Sequence, residues 1–244
     1  MLELNNIYNG DCLELMKGIP DGSIDMVLCD LPYGTTQNKW DSVIPLDKIW
    51  VHYERIIKDN GAIVLFAQTP FDKLLGVSNL KLLKYEWIWV KQKGTGHLNA
   101  KKMPLKNHEN ILVFYKKIPT YNPQFSEGKP YDKGEQNVKS SNYGLQKGAR
   151  YVNEDGKRYP KSVLNFNTVE RGVHPTQKPV PLLEYLINTY TNENEVVLDN
   201  CIGSGSTIIA CLNTNRQYIG IELDYDYYNI AKNRIELHKE SINT

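Results

Sequence analysis

Short apolar runs alternate with amphipathic segments over the first 90 residues of the chain. The run SIDMVLCD (23–30) has the continuous apolar character of a buried strand, and AIVLFA (62–67) has the same character. Between them, PLDKIWVHYERIIKDNG (45–61) places apolar residues at helical spacing, and Gly61 is expected to end that helix. This strand–helix–strand order predicts a parallel sheet with crossover helices.

Further elements extend this pattern. A helix is predicted from Pro70 to Asn79, and strands are predicted at YEWIWVK (85–91) and ENILVFYK (109–116). Regular structure returns later in the chain as a second βαβ unit. Its predicted helices cover 180–191, 206–215 and 226–240, and its predicted strands cover 195–200 and 217–223. We therefore expect a doubly wound α/β sheet with its ligand crevice at the carboxyl ends of the strands.

The middle of the chain lacks this regularity. From Lys116 to Lys161 the sequence is rich in Gly, Asn, Lys and Tyr, and it keeps neither a period of 2 nor one of 3.6. This segment is an irregular insertion or a small loop-rich domain. The length of 244 residues suits one α/β domain with an elaborated insertion, or two small domains.

Composition excludes several classes of protein. Hydrophobic residues make up 41% of the chain and charged residues 23%, which is the balance of a folded globular protein. No apolar run reaches the roughly 18 residues that a membrane span needs, and no secretion signal is recognisable, so a cytoplasmic protein is expected. The four cysteines show no CxxC spacing, which predicts free thiols and no metal site.

Charge is distributed unevenly, although the net charge is only +1. Residues 91–161 hold 15 Lys and Arg against 6 Asp and Glu, whereas the rest of the chain holds 14 against 22. Basic charge interleaved with aromatic rings suits a polyanion with stackable bases, although a solvated Lys-rich loop explains the charge equally well. The aromatic residues of this stretch are Phe114, Tyr115, Tyr121, Phe125, Tyr131, Tyr143, Tyr151 and Tyr159.

A Gly-rich turn joins two predicted elements in VVLDNCIGSGST (196–207). The strand ends at Asp199 and continues through GSG (203–205) into a helix, which brings the backbone close to a ligand at the helix N-terminus. Glu222 ends the next strand and can accept both ribose hydroxyls of a nucleoside. The GxG alone is also compatible with a simple tight turn, but the whole arrangement favours a nucleoside cofactor. It is neither G-x-G-x-x-G nor a P-loop, which disfavours NAD and ATP.

A second polar loop follows the strand predicted at 23–30. In CDLPYG (29–34), Asp30 offers a carboxylate acceptor, Pro32 stiffens the loop and Tyr33 offers a flat ring. An exocyclic amino group needs this set, because its N–H groups require acceptors and its base requires a stacking surface. An ordinary strand-to-loop turn explains the same residues, and the loop alone does not decide between the two interpretations.

Several motifs together resemble those of the β class of S-adenosylmethionine-dependent DNA amino-methyltransferases. DLPY (30–33) is similar to the (D/N/S)PP(Y/F) motif of that family, and VLDNCIGSGST is similar to its Gly-rich cofactor loop. The order, in which DLPY comes first, a basic insert second and the Gly-rich loop last, is that of the β class. NGDCLELM (9–16), NHENILVFYK (107–116) and HPTQKP (174–179) resemble further segments of the family.

The resemblance implies a Rossmann-like methyltransferase fold in circularly permuted motif order, with an irregular target-recognition insert. A catalytic half (1–115) carries DLPY, the insert covers 116–165, and an S-adenosylmethionine-binding half (166–244) completes the catalytic domain. Strands 86–91 and 110–115 are expected to form an antiparallel hairpin at one edge of the sheet. The implied cofactor is S-adenosylmethionine, and the implied partner is double-stranded DNA.

The resemblance also implies roles for particular residues. The implied catalytic residues are Asp30, Leu31, Pro32 and Tyr33. The implied cofactor-binding residues are Asp11, Cys12, His174, Thr176, Lys178, Asp199, Cys201, Gly203, Ser204, Gly205, Thr207, Glu222 and Leu223. The basic insert supplies the candidate DNA contacts Lys129, Lys133, Lys139, Lys147, Arg150 and Arg158.

Two of these motifs have features of their own. Leu31 departs from the usual DPPY, but the role implied there belongs to the backbone carbonyl, which Leu also supplies. In HPTQKP, Thr176 can cap the following helix, whose N-terminus would face the methionine carboxylate of the cofactor. A plain capping sequence is the alternative for that segment.

The implied activity is site-specific transfer of a methyl group to N6 of adenine in DNA, by direct in-line attack of a flipped base. N4 of cytosine is the alternative, but Asp30 favours adenine because the family more often has Ser there for cytosine. Protein-glutamine and RNA methyltransferases place their related motifs in the reverse order. A non-enzymatic nucleic-acid-binding protein would explain the basic stretch but not Asp30, Asp199 and Glu222. Homodimer formation, which many relatives show, and a cognate restriction endonuclease are compatible with the resemblance.

Overall fold

The chain divides into two compact units. The computed structural model describes residues 1–34, 43–135, 138–140, 144–146, 150–169 and 177–242. We refer to Met1–Asn122 together with Ser162–Thr244 as the main unit, and to Pro123–Lys161 as the insert unit.

The described residues of the two units form the following helices and strands. The helices in the described residues are α1 (Cys12–Leu15), α2 (Leu46–Ile56), α3 (Phe71–Ser78), α4 (Val180–Tyr190), α5 (Ser206–Asn213) and α6 (Tyr225–Ile242), with short 3-10 turns at Met16–Gly18 and His97–Asn99. The strands in the same residues are β1 (Asn6–Asn9), β2 (Ile24–Asp30), β3 (Ile57–Ala67), β4 (Leu83–Thr95), β5 (Lys106–Phe114), β6 (Ser126–Glu127), β7 (Tyr131–Glu135), β8 (Val138–Ser140), β9 (Gly144–Gln146), β10 (Arg150–Asn153), β11 (Lys157–Arg158), β12 (Val163–Asn165), β13 (Val196–Asp199) and β14 (Gln217–Glu222).

An eight-stranded sheet lies at the centre of the main unit, in the order β1-β14-β13-β2-β3-β5-β4-β12. The first five strands in this order are parallel to one another. β5 is antiparallel to both of its neighbours, and β12 is parallel to β4. The predicted doubly wound, mostly parallel α/β sheet is confirmed.

Both faces of this sheet are buried, as is usual for parallel strands. Along β2, Met26 and Leu28 belong to the hydrophobic cluster covered by α4, α5 and α6, whereas Val27 and Cys29 belong to the cluster covered by α1, α2 and α3. Successive side chains of a strand point to opposite faces, so a shift of one residue would exchange the two clusters. Burial therefore fixes the register in which Asp30 ends β2 at the carboxyl edge of the sheet.

The helix predicted for 45–61 ends earlier than expected. α2 stops at Ile56, and β3 begins at Ile57 and passes through Gly61, so the prediction that Gly61 ends the helix is wrong. A Cβ atom at Gly61 would lie 2.7 Å from the backbone oxygen of Asp25. Glycine is therefore required by the close approach of β2 and β3, and not by a helix end.

The antiparallel hairpin of β4 and β5 forms as predicted, but it does not lie at the edge of the sheet. β12 pairs outside β4, with Val163 opposite Ile88, and the Ile88 N–H donates to the Ser162 carbonyl at 2.8 Å. Only Leu164 of β12 is buried. At the opposite edge, β1 buries only Ile7. Such short strands carry too little apolar alternation to be predicted from the sequence.

The insert unit is built from three two-stranded antiparallel pairs, β6–β11, β7–β10 and β8–β9. It is therefore a small unit with strands rather than an irregular loop. Its limits at 123 and 161 lie inside the segment 116–165 expected from the sequence. The residues before Pro123 bond to the main unit, since the Lys117 N–H donates to the Asp59 carbonyl at 3.1 Å and the Asn122 N–H to the Thr189 carbonyl at 2.7 Å.

No helix in the described part of the chain is long and apolar enough to cross a membrane. No group of three or more His, Cys, Asp and Glu side chains within these residues could hold a metal ion. The four cysteines are free thiols.

Candidate active site

A cavity of about 710 Å³ opens at the carboxyl ends of the parallel strands. Asp30 ends β2, Asp199 ends β13 and Glu222 ends β14, and all three residues line the cavity. Ligands of open α/β sheets bind at this edge, and the volume falls within the roughly 300–1,000 Å³ of small-molecule sites. Residues from motifs far apart in the sequence thus form one site.

Most of the residues implied for catalysis and cofactor binding line this cavity. They are Asp11, Cys12, Asp30, Leu31, Pro32, Tyr33, Lys178, Asp199, Cys201, Gly203, Ser204, Thr207, Glu222 and Leu223. His174 and Thr176 lie outside the described residues. Gly205 is not among the residues that line the cavity, and its assignment to the cofactor stays a prediction. It precedes α5 with a φ of 79°, and a Cβ there would lie 3.2 Å from Ala231 of α6, so glycine allows the two helices to pack.

Backbone N–H groups hold the two acidic residues at the Gly-rich turn. Asp199 accepts the Cys201 N–H at 3.0 Å. The two oxygens of Glu222 accept the Gly203 N–H at 2.8 Å and the Asp224 N–H at 2.9 Å. An ionised carboxylate has about four acceptor sites, so each Glu222 oxygen keeps one for a ligand.

Burial raises the pKa of both acidic residues at this turn. The pKa of Asp199 rises to about 6, although the Thr207 hydroxyl and the Cys201 N–H oppose the shift. The pKa of Glu222 is raised by burial and is opposed by the N–H groups of Asp224 and Gly203. The turn therefore holds two desolvated acids at one end of the cavity.

Asp11 lies next to this turn, in the loop between β1 and α1. Its Oδ1 accepts the Leu13 N–H at 2.7 Å and so caps α1. The Gly10 N–H donates to the Glu222 carbonyl at 2.9 Å, and Asn9 Nδ2 donates to the Leu223 carbonyl at 3.1 Å. These bonds hold the Asp11 loop against the end of β14.

The other end of the cavity holds a chain of polar side chains around Asp30. The Tyr33 hydroxyl donates to Asp30 Oδ1 at 2.5 Å, and Lys178 Nζ donates to Asp30 Oδ2. Lys178 Nζ also lies 3.4 Å from Glu109 Oε2, and Lys91 Nζ donates to Glu109 Oε1. The structure thus places Lys178 on Asp30, whereas the sequence analysis expected it at the cofactor.

The pKa values at this end reflect burial together with the neighbouring charges. Burial raises the pKa of Asp30, and the Lys178 charge opposes that rise. Burial alone would raise the pKa of Glu109, but Lys178 and Lys91 outweigh it and hold that pKa below its usual range. Burial would likewise lower the pKa of Lys178, yet Asp30 and Glu109 raise it. These directions favour the charged forms of both Glu109 and Lys178.

Several residues in or beside the cavity were not predicted from the sequence, and four polar ones among them bear on its chemistry. Glu109 and Asn200 line the cavity, Lys91 supports Glu109, and Arg234 of α6 donates to the Ser204 carbonyl at 3.0 Å beneath the Gly-rich turn. One signal for Glu109 was available: it precedes the apolar run of β5 at the same alternation as Ile111 and Val113, which places its side chain on the same face of the strand. The sequence around Arg234 gave no comparable signal.

In the insert unit, the two candidate arginines have partners within the unit. Arg158 Nη1 donates to the Asn153 side chain and the Gly156 carbonyl at 2.9 Å, and Nη2 donates to the Lys129 carbonyl. Arg158 therefore holds strand connections together. Arg150 Nη2 lies 2.5 Å from Asp132 in an exposed pair.

The structure describes the side chains of only some candidate lysines of this unit. The side chains of Lys129 and Lys133 are exposed. Lys147 and the side chain of Lys139 lie outside the described residues.

The chain matches known DNA methyltransferases along most of its length. A family model described as DNA methylase, of the N6/N4 type, matches residues 24–233. The Type II methyltransferase M1.MboII of Moraxella bovis is 28% identical, and the alignment covers 98% of this chain and 100% of that protein.

Solved structures show the same similarity. The M1.HpyAVI–SAM complex has a TM-score of 0.64 at 26% identity, covering 94% of this chain and 98% of that one. The PvuII DNA methyltransferase, described as cytosine-N4-specific, has a TM-score of 0.69 at 16% identity, covering 96% and 87% respectively. At that lower identity, the likeness to PvuII concerns the fold alone.

We predict that Asp199 makes stability depend on pH. Its raised pKa means that the native state binds the proton more tightly than the unfolded state, so its contribution is full below about pH 4 and is lost as pH rises through about 6. Relative to Asp199→Asn, the free energy of unfolding of the wild type should fall by about 3 kcal/mol between pH 4 and pH 7. Urea unfolding at a series of pH values, without cofactor, measures this difference.

Asp59→Asn is the matched control for this experiment. Asp59 is exposed, and hydrogen bonding to Lys117 lowers its pKa, so its small contribution has the opposite sign and is lost on acidification. Parallel stability curves for the wild type and Asp199→Asn would contradict the prediction.

Proposed function

Because the chain belongs to the β class of S-adenosylmethionine-dependent DNA amino-methyltransferases, we propose that it methylates N6 of adenine within a specific DNA sequence. The base leaves the duplex to reach the cavity, which costs a few kcal/mol in lost stacking and pairing. The amino nitrogen would then form a bond to the methyl carbon as the carbon–sulfur bond breaks, which leaves a neutral thioether and releases one proton from the nitrogen, without a covalent intermediate on the protein.

The cavity fits S-adenosylmethionine, the cofactor of this family. Glu222 would accept the ribose hydroxyls through the acceptor sites left beside its two backbone N–H bonds, and Asp11 would contact the adenine ring from the neighbouring loop. The cofactor, when bound, supplies a methyl group on a positively charged sulfur. The buried carboxylates of Asp199 and Glu222 suit a cationic ligand, because an opposite charge stabilises their ionised forms.

The observation that carries the proposal is the Asp30 carboxylate, held at the cavity by Tyr33 and Lys178. Its free acceptor sites and the Leu31 carbonyl accept the N–H groups of the target amino group. These hydrogen bonds localise the nitrogen lone pair, which is otherwise delocalised into the base. Positioning and fixed charge then supply most of the catalysis.

Tyr33 provides the stacking surface for the base. Its ring packs against Phe71 with centroids 5.3 Å apart, and its hydroxyl bonds to Asp30. The ring is thus anchored on one side by an aromatic neighbour and at its tip by the catalytic carboxylate. Stacking on such a ring contributes roughly 1–3 kcal/mol per base.

N4 of cytosine is the second candidate for the target. Its amino group requires the same acceptors, and the PvuII enzyme of similar fold is described as specific for N4 of cytosine. We favour adenine because residue 30 is Asp, whereas the family more often has Ser at this position for cytosine.

The insert unit is proposed to contact the DNA. Phe125, Tyr151 and Tyr159 are exposed aromatic residues on this unit, and Lys129 and Lys133 are exposed cations. The lysines neutralise phosphates irrespective of sequence. Arg150 is the candidate for reading a guanine, since its exposed pair with Asp132 can be exchanged for a base edge. Arg158 instead holds the unit together through its hydrogen bonds, so we assign it no base contact.

We predict that Asp30→Ala abolishes methyl transfer and leaves the Kd for S-adenosylmethionine within about tenfold of the wild-type value. The reason is that Asp30 is assigned to the target amino group, whereas Asp11, Glu222 and the Gly-rich turn remain for the cofactor. Transfer of tritiated methyl groups to DNA measures activity, and calorimetry measures cofactor binding.

Two further variants control this experiment. Asp30→Asn keeps the shape of the side chain and one oxygen acceptor and should be equally inactive, which separates the loss of charge from the loss of side-chain volume. Asp59→Ala removes an exposed carboxylate and should be fully active. A loss of cofactor binding as severe as the loss of turnover would make Asp30 a cofactor residue.

For the insert unit, we predict that Lys133→Ala weakens DNA binding equally on all sequences and flattens the dependence of log K on log salt by about one unit. Arg150→Ala should instead weaken binding by roughly 1–3 kcal/mol on the preferred sequence alone. Filter binding on specific and scrambled duplexes at several salt concentrations distinguishes the two effects. Lys117→Ala, an exposed lysine of the main unit, is the control. An unchanged salt slope in Lys133→Ala would assign the phosphate contacts to other residues.

A further inference from the structure

Four side chains of alternating charge run from β4 to the cavity. Lys91 of β4 bonds to Glu109 of β5, Glu109 lies beside Lys178 before α4, and Lys178 bonds to Asp30 at the end of β2. Because two of these side chains are positive and two are negative, the group of four is neutral overall. The Tyr33 hydroxyl adds a neutral donor at its Asp30 end.

Burial makes these pairings obligatory. The side chains of Lys178 and Glu109 are only 8% and 9% exposed. Removing one partner of a buried ion pair leaves an uncompensated charge, whereas apolar residues in place of both partners are often equally stable. Stability alone therefore gives little reason to keep these four charges, and three of them, Asp30, Lys178 and Glu109, line the cavity, which points to a role there.

The contacts of Lys178 are unequal on its two sides. It donates to Asp30 at hydrogen-bond distance, whereas it lies 3.4 Å from Glu109 Oε2, for which the described residues supply no closer partner. Lys178 Nζ also lies 5.2 Å from the centroid of the Phe66 ring, which borders it with a π face. Lys178 is thus directed at Asp30, with Glu109 as its counter-charge from behind.

We infer that Lys178, supported by Glu109 and Lys91, is a positioning residue that orients the Asp30 carboxylate and keeps it ionised for the target amino group. This inference rests on the proposed function, in which Asp30 accepts that amino group. It assigns Lys178 to the target end of the cavity rather than to the cofactor. Glu109 acts through Lys178, whose charged form it favours, although its own negative charge disfavours ionisation of Asp30.

Titration of Asp30 depends on every ionisable group around it. Lys178 favours the ionised form, and the Tyr33 hydroxyl does so by hydrogen bonding. Glu109 of β5 disfavours it, and Asp199 of β13 and Cys29 of β2 interact with Asp30 as further acidic groups. Since Lys178 and Glu109 act on Asp30 with opposite signs, their removal must move its titration in opposite directions.

The test follows the Asp30 carboxyl by ¹³C NMR in protein labelled at aspartate, without DNA. The Asp30 signal is assigned by its absence from Asp30→Asn. In Lys178→Met the titration midpoint of Asp30 should move up by about one pH unit or more, because a positive neighbour is gone. In Glu109→Gln it should move down, because a negative neighbour is gone. Lys178→Arg should restore a midpoint near that of the wild type.

Two further measurements separate positioning from a merely structural role. Calorimetry should give a Kd for S-adenosylmethionine within about threefold of the wild-type value in Lys178→Met. Lys58→Met is the matched control, because Lys58 pairs at 2.7 Å with Asp25 on the same strand as Asp30 but away from the cavity. It should leave the Asp30 titration unchanged.

An unmoved Asp30 midpoint in Lys178→Met, or shifts of the same sign in Lys178→Met and Glu109→Gln, would overturn the inference. Tenfold weaker cofactor binding with an unmoved midpoint would make Lys178 a cofactor residue. If Lys178→Met does not fold, the downward shift in Glu109→Gln and the restored midpoint in Lys178→Arg decide the question. The titration needs no DNA, so the two failures are distinguishable: failure of the wild type to methylate DNA would remove the proposed function and the target amino group with it, whereas the midpoints alone decide whether Lys178 controls Asp30.

Discussion

Burial of acidic side chains at the carboxyl edge of the sheet is the constraint on which the site depends. A buried carboxylate without partners is strongly disfavoured, so each acid at this edge needs compensation. Glu222 obtains it from the backbone N–H groups of Gly203 and Asp224, and Asp30 obtains it from Lys178 and Tyr33. Both arrangements require the loops after β2, β13 and β14 to keep fixed positions at the edge of the sheet. The register of these strands fixes those positions, and burial of both faces of the sheet fixes the register.

The two ends of the cavity are compensated differently, and the difference matches the chemistry proposed for them. At the Gly-rich turn, neutral backbone dipoles stabilise the acids and leave the region negative, which suits a cofactor with a cationic sulfur. Around Asp30, full counter-charges make the chain of side chains neutral overall, which suits an uncharged amino group. The methyl group would therefore pass directly from the cofactor sulfur to the amino nitrogen, where these two parts of the cavity meet.

Much of this arrangement could be predicted from the sequence, because buried strands and Gly-rich turns have strong local patterns. The runs ending in Asp30, Asp199 and Glu222 were recognised, and the sheet brings all three together. The failures have physical causes. A glycine at position 61 can either end a helix or allow two strands to approach closely, and the sequence does not distinguish these roles. β1 and β12 are too short to show alternation of apolar and polar residues. The Glu109–Lys178 contact joins residues 69 positions apart, and only the folded sheet brings them together.

The central claim is that this cavity directs a methyl group to the amino group of adenine, and nucleoside mass spectrometry tests it most directly. DNA made by polymerase chain reaction carries no methylated bases, and a long genomic fragment contains every short recognition sequence. After incubation with the purified protein and S-adenosylmethionine, the account predicts N6-methyladenine as the methylated nucleoside. N4-methylcytosine as the product, or no methylated base in DNA treated with protein that binds the cofactor, would contradict it.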